Sequence, residues 1–210
     1  MKGLLAKKIG MTQIFDENGN VVSITVILVE PNVVVACKEK TKNGYSAVVL
    51  GFDDLKKKHI TKPYGGQFCD GIHPKRFLKE FRDFDVAVLV GDKVGVTLFE
   101  GIRFLDVITT SKGKGFQGVV KRYGFRGGNK THGSKFHREI GSTGQCTTPG
   151  HNFKNIKMPG RMGFEQVTVQ NLRIIQIDPN LNVIFVRGAV PGNKNCMLII
   201  KSAIKKQRVK

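Results

Sequence analysis

No apolar run in this 210-residue chain approaches the roughly 18 residues a membrane-spanning helix needs, so no helical span and no membrane partner is expected. The opening, MKGLLAKKIGMTQIF, holds too short an apolar stretch for a secretory signal and leads straight into strand-like pattern. Cysteine is sparse. Cys37, Cys69, Cys146 and Cys196 lie far apart with no Cys-x-x-Cys pair, which points to free thiols in a reducing cytosol. Acid is scarce where base abounds: between Ser111 and Phe164 the one carboxylate is Glu139.

Signatures of catalysis are missing too. There is no Gly-Lys-Ser or Gly-Lys-Thr for a phosphate loop and no Gly-x-Ser-x-Gly elbow, and Cys146 has no local base. Gly113-Lys114-Gly115-Phe116-Gln117-Gly118 fits the dinucleotide fingerprint, but Gly124, Gly127 and Gly128 follow too soon for a crossover helix to offer its N-terminus to a pyrophosphate. The pairs Cys69/His73 and His132/His137 lack further partners at metal-ligand spacing. The expectation is a non-enzyme with no metal, cofactor or small-molecule substrate.

What is present is base, and it is concentrated. The formal charge is +19 and the pI about 10.0, which makes nucleic acid or an anionic surface the expected partner. Residues 1–110 carry 16 − 13 = +3, residues 111–164 carry 11 − 1 = +10, and residues 165–210 carry 8 − 2 = +6. The middle segment also holds twelve Gly and six aromatics. Its apolar residues are isolated and its glycines are costly to order, so it cannot build a core of its own. Its charges repel one another until a polyanion neutralises them.

The flanks read as β-structure. Val21–Val29 is β-branched and follows the turn Asp16-Glu17-Asn18-Gly19. Asn32–Lys40, Tyr45–Phe52, Lys93–Phe99 (alternating Val94, Val96, Leu98) and Phe104–Ile108 are further expected strands, as are Val167–Ile177, Val183–Arg187 and Met197–Lys201. Pro74–Arg82 alone looks helical, with Phe77 and Phe81 four apart. These expected strands number about eight, enough to close one antiparallel β-barrel built from residues 1–110 and 165–210, with 56–90 as an irregular, partly helical insertion. Residues 111–164 then form an excursion of about 27 residues each way, with a reach of at most about 90 Å.

In an RNA-binding arm each residue type has a use. Phosphates would be met by Lys112, Lys114, Lys121, Arg122 and Arg126 on the way out. Lys130, His132, Lys135, His137 and Arg138 follow, and Lys154, Lys157 and Arg161 line the return. Phe116, Tyr123, Phe125, Phe136 and Phe153 could stack on unpaired bases, although Phe116 and Phe164, nearest the ends, equally suit anchoring.

On GLLAKKIGMTQIF (Gly3–Phe15), TSKGKGFQGVVKRYGFR (Thr110–Arg126), Thr131-His132-Gly133, GSTGQCTTPG (Gly141–Gly150), KMPGRMG (Lys157–Gly163), Val167–Gln170 and RGAVPG (Arg187–Gly192), the chain closely resembles the bacterial form of the universal large-subunit ribosomal protein number three family. The resemblance covers essentially the whole chain. It implies a cytoplasmic structural constituent of the large ribosomal subunit that binds 23S rRNA early, helps nucleate assembly, lies beside other large-subunit proteins and is not a homo-oligomer. It also implies an arm that enters the rRNA towards the peptidyl-transferase centre, its tip at Ser142–His151, including Gln145, Cys146, Thr147 and Thr148. Thr147 stands where many relatives have a methylated Gln, and Cys146 stands in place of the preceding Asn. The methylation therefore does not carry over, and Gln145 is not taken as its substitute.

Overall fold

The computed structural model describes residues 2–69 and 71–206; Met1, Asp70 and 207–210, which the expected barrel boundaries include, lie outside the described residues. The strands and helices, in order, are β1 (Gly3–Phe15), β2 (Val21–Leu28), β3 (Asn32–Lys38), α1 (Lys40–Asn43), β4 (Ala47–Asp54), α2 (Lys62–Gly65), β5 (Lys75–Arg82) and β6 (Lys93–Val94). They continue with β7 (Phe104–Thr110), β8 (Phe116–Gln117), α3 (Val119–Tyr123), β9 (Gly160–Arg161), β10 (Gln166–Asp178), β11 (Val183–Arg187) and β12 (Met197–Ser202). Two compact units result: the described residues up to Thr110 together with those from Gln166 on, and Ser111–Glu165.

The first unit is mainly β. Six antiparallel strands close a barrel in the order β1-β12-β7-β10-β11-β2, with β2 pairing back onto β1. Closure leaves no open sheet edge along the paired stretches, and alternating side chains fill the interior. The inward set includes Leu4, Ile27, Leu105, Val107, Ile184, Leu198 and Ile200, all fully buried. The turn at Asp16–Gly19 forms as its composition predicts: Gly19 takes φ +76° and donates its N–H to the Asp16 carbonyl at 2.8 Å.

A second sheet, ordered β5-β4-β3-β6, shares the barrel's core through Leu50, Phe52 and Phe81. Two residues make that junction. Gly3 on β1 has no side chain because a Cβ there would lie 2.5 Å from the Phe81 ring. Asn32, fully buried, accepts from the Leu5 N–H at 2.9 Å and donates Nδ2 to the carbonyls of Leu5 (3.0 Å) and Glu30 (2.9 Å). A buried amide is tolerated when its bonds are made, and here they are.

Several expectations are corrected. Pro74–Arg82 is no helix: β5 pairs with β4 from Asp54↔Lys75 to Ala47↔Arg82. A spacing of four is even, so Phe77 and Phe81 share a strand face as readily as a helix face, and the helical reading had no other support. The alternation in Lys93–Phe99 yields only the two-residue β6; a 3₁₀ turn over Val96–Phe99 buries the adjacent Leu98 and Phe99 together, which a strand with one buried face cannot do. Six strands rather than about eight close the barrel, because β3, β4 and β6 belong to the second sheet while β1 joins the barrel. β1, one of the two 13-residue strands, was not among the expected strands. Its Leu4-Leu5-Ala6 run is buried without alternation, and a register shift between Lys8 and Gly10 breaks its period.

Candidate RNA interface

Ser111–Glu165 contains one buried side chain, Val119, at 3% exposure. Its order comes instead from the backbone. The outgoing and returning legs zip together: the Ser111 N–H donates to the Glu165 carbonyl, Lys114 N–H to Met162, and Met162 N–H to Gly115, each at 2.9 Å. The short β8–β9 ladder follows, pairing Phe116 with Arg161 and Gln117 with Gly160. Gly163, at φ +74°, lets the return leg pass the Lys112 carbonyl where a Cβ would collide.

After the fingerprint-like string the chain does make one helical turn, α3, and Gly124 in the left-handed region ends it. Five residues form no crossover. Arg122 on this turn reaches across to donate Nη1 to the Met158 carbonyl at 2.8 Å, passing over Gly160, whose Cβ would sit 2.6 Å from that nitrogen. Arg122 (5.0 Å) and Lys157 (5.9 Å) both lie against the Tyr123 ring, a cation–π arrangement that holds two cations near one aromatic. Arg161 lies 5.3 Å from the Phe164 ring.

Further out, Gly127 and Gly128 pack on the backbone of Phe136 and His137, with carbonyl oxygens occupying the space of any Cβ. The Gly128 N–H donates to the His137 carbonyl at 3.2 Å. The His137 Nδ1 faces the Asn129 carbonyl at 2.9 Å and must be the donor, because a carbonyl only accepts. That leaves Nε2 as the acceptor of the neutral ring. His151 does the same with the Pro149 carbonyl at 2.9 Å, and its ring meets Phe153 edge-on at 5.5 Å.

Charge and neutrality are separated along this unit. Lys112, Lys114, Lys121, Arg126, Lys130, His132, Lys135, His137, Arg138, Lys154, Lys157 and Arg161 are all exposed, and Arg122 is half-buried. Among the described residues no ion pair involves any of them. From Glu139 to Phe153 there is no Lys or Arg. Ser142, Gln145, Cys146, Thr147, Thr148 and His151 sit exposed on that stretch. Ser142 Oγ donates to the Gly144 carbonyl at 2.8 Å, and hydrogen bonds from the Thr147 side chain and backbone hold the Cys146 thiol below its ordinary pKa. Among the described residues no group of three or more His, Cys, Asp or Glu could hold a metal ion.

Three features here escaped sequence reasoning: the Val119 anchor, the inward use of Arg122, and the Gly127–Gly128 crossing. The adjacent glycine pair was the one available signal, since two side-chain-free positions mark a close backbone approach. Of the stacking candidates, Phe116 (76%), Phe153 (55%), Tyr123 and Phe136 (37% each) are exposed, whereas Phe125 is half-buried; Phe164 is 65% exposed.

A family model described as Ribosomal protein L3 matches residues 83–210. The chain belongs to the ribosomal protein L3 family. Similar proteins named large ribosomal subunit protein uL3 come from Treponema denticola (62% identical over 99% of this chain and 100% of the relative), Treponema pallidum (58% over 99% and 100%) and Borrelia duttonii (49% over 98% and 99%). The ribosomal protein L3 family is structural rather than enzymatic, which agrees with the missing catalytic signatures.

Proposed function

We propose that this chain is a structural constituent of the large subunit of a bacterial, cytoplasmic ribosome, with residues 111–164 as its rRNA-binding arm and the strands on either side as its globular domain. The observation that carries the arm is the pairing of thirteen exposed basic or imidazole side chains with a single buried apolar one. A unit of that kind gains little from its own packing and much from a polyanion. Lys112, Lys114, Lys121, Arg126, Lys130, Lys135, Arg138, Lys154, Lys157 and Arg161 neutralise phosphates, while Arg122 chiefly holds the arm's shape. His137, with the Nε2 lone pair of its neutral ring free, accepts from a ribose hydroxyl, and His132 offers an imidazole nitrogen to phosphate or ribose.

The finer reading is that 23S rRNA is the primary ligand, bound early enough to help nucleate assembly beside neighbouring large-subunit proteins. The uncharged tip, Ser142–His151, suits a place close to the peptidyl-transferase centre, where hydrogen-bonding groups rather than cations meet the RNA. Deleting residues 112–160 tests the assignment. The shortened chain should stay soluble and bind 23S rRNA at least about tenfold more weakly at physiological salt; unchanged affinity would place the binding surface elsewhere.

A further inference from the structure

Lys and Arg make up 35 of the 210 residues, one in six, yet none falls between Ile9 and Cys37. This stretch instead carries Asp16, Glu17 and Glu30, and it includes the free end of the β1–β2 hairpin. The hairpin's free end is unlike the rest of the barrel. β1 pairs with β12 only over Gly3–Lys7, and the Lys8 N–H and carbonyl make the last backbone bonds on that side, to Cys196 (3.0 Å) and Asn195 (2.7 Å). β2 pairs with β11 only over Ile24–Leu28, with one further bond from the Gly188 N–H to the Ser23 carbonyl. Beyond these points the chain is a two-stranded ribbon that the remaining strands do not cover.

Its side chains are wrong for water. Phe15 and Val21 are directly paired across the ribbon and are 69% and 59% exposed. Met11, four residues before Phe15 and therefore on the same face about 13 Å away, is 52% exposed. Aromatic residues and Met are the types enriched in the centres of protein interfaces. An exposed strand edge is ordinarily guarded by Lys, and this one has none. A two-stranded ribbon standing alone is marginal in water, so a partner that covers it would also stabilise it.

The charge identifies the partner's class. Two carboxylates at the turn repel phosphate and attract ammonium or guanidinium groups. We propose that the tip of the β1–β2 hairpin docks a basic protein segment, which covers Met11, Phe15 and Val21 with apolar groups and sets Lys or Arg against Asp16 and Glu17. The proposal rests on the chain being part of the large subunit.

A photoreactive phenylalanine analogue at position 15, in large subunits purified from cells, provides the test. The crosslink should join the chain to one protein of pI above about 9. Asp16→Lys with Glu17→Lys, the photoprobe kept, should cut that yield at least about fivefold while the chain's occupancy of the subunit is unchanged. Crosslinks to rRNA, to an acidic protein or to nothing, or a yield indifferent to the charge reversal, overturn the docking proposal alone. A chain absent from the sedimenting subunit overturns the function proposed above, and this partner with it.

Discussion

Lys8, on β1, buries its side chain and donates Nζ to the carbonyl of Val190, 182 residues further along, at 2.5 Å. A second bond reaches the Gly192 carbonyl at 3.3 Å. One ammonium thus holds the loop between β11 and β12 against the first strand, in a chain whose other cations mostly face outward. Gly192 completes the arrangement: at φ +93°, its Cβ would lie 2.5 Å from Cys196 Sγ and 3.1 Å from the Thr110 carbonyl.

Lys8→Met keeps the buried stem and removes both donors. The loop carbonyls are then left without that partner inside the protein, and thermal unfolding of the purified chain should show a loss of about 1–3 kcal/mol. An unchanged melting temperature would mean that water replaces the ammonium at no cost.

Lys38 and Glu80, on β3 and β5, form an ion pair at 2.5 Å that also reaches the Tyr45 hydroxyl (Lys38 Nζ to Oη, 2.8 Å). The hydrogen bond from Lys38 holds the Glu80 carboxyl below its ordinary value of 4.5. A depressed carboxylate adds stability that is complete above the ordinary value and is lost as pH falls through the folded one. Denaturant melts from pH 6 to pH 3 should therefore show a smaller acid loss for Glu80→Gln than for the parent chain; parallel curves would contradict this.

Gly128→Ala would drive a methyl group into the Phe136 carbonyl and the Phe136 ring. The neck of the arm must then open, so rRNA affinity should fall about tenfold or more while barrel unfolding stays within about 0.5 kcal/mol. Filter binding and calorimetry on the same preparation separate the two.

Affinity for isolated 23S rRNA should fall with a log–log salt slope of about −6 to −7 if roughly eight phosphates are met. Lys121→Ala, which removes an exposed cation, should reduce the slope by about 1. Arg122→Ala should instead weaken binding mainly by loosening the Met158 crossing, with a smaller change in slope. Equal slopes for Lys121→Ala and the parent chain would remove Lys121 from the interface.

Gln145→Ala alters the uncharged tip, where the side chain is exposed. Translation, or sensitivity to antibiotics of the peptidyl-transferase centre, should change more than the melting temperature. A lowered melting temperature with normal ribosomes would count against the tip's proposed place.

The sequence by itself determined where strands β2, β7, β11 and β12 lie, because β-branched runs between turns are local signals. It also determined where the positive charge gathers and that 111–164 cannot build a core, since both follow from composition alone. Only the tertiary structure decided which sheet each strand joins, that β5 is a strand, and that Lys8 and Arg122 turn inward. Those outcomes depend on partners far along the chain, such as Gly3 beside Lys201, and pairing at that distance leaves no periodic trace in either segment.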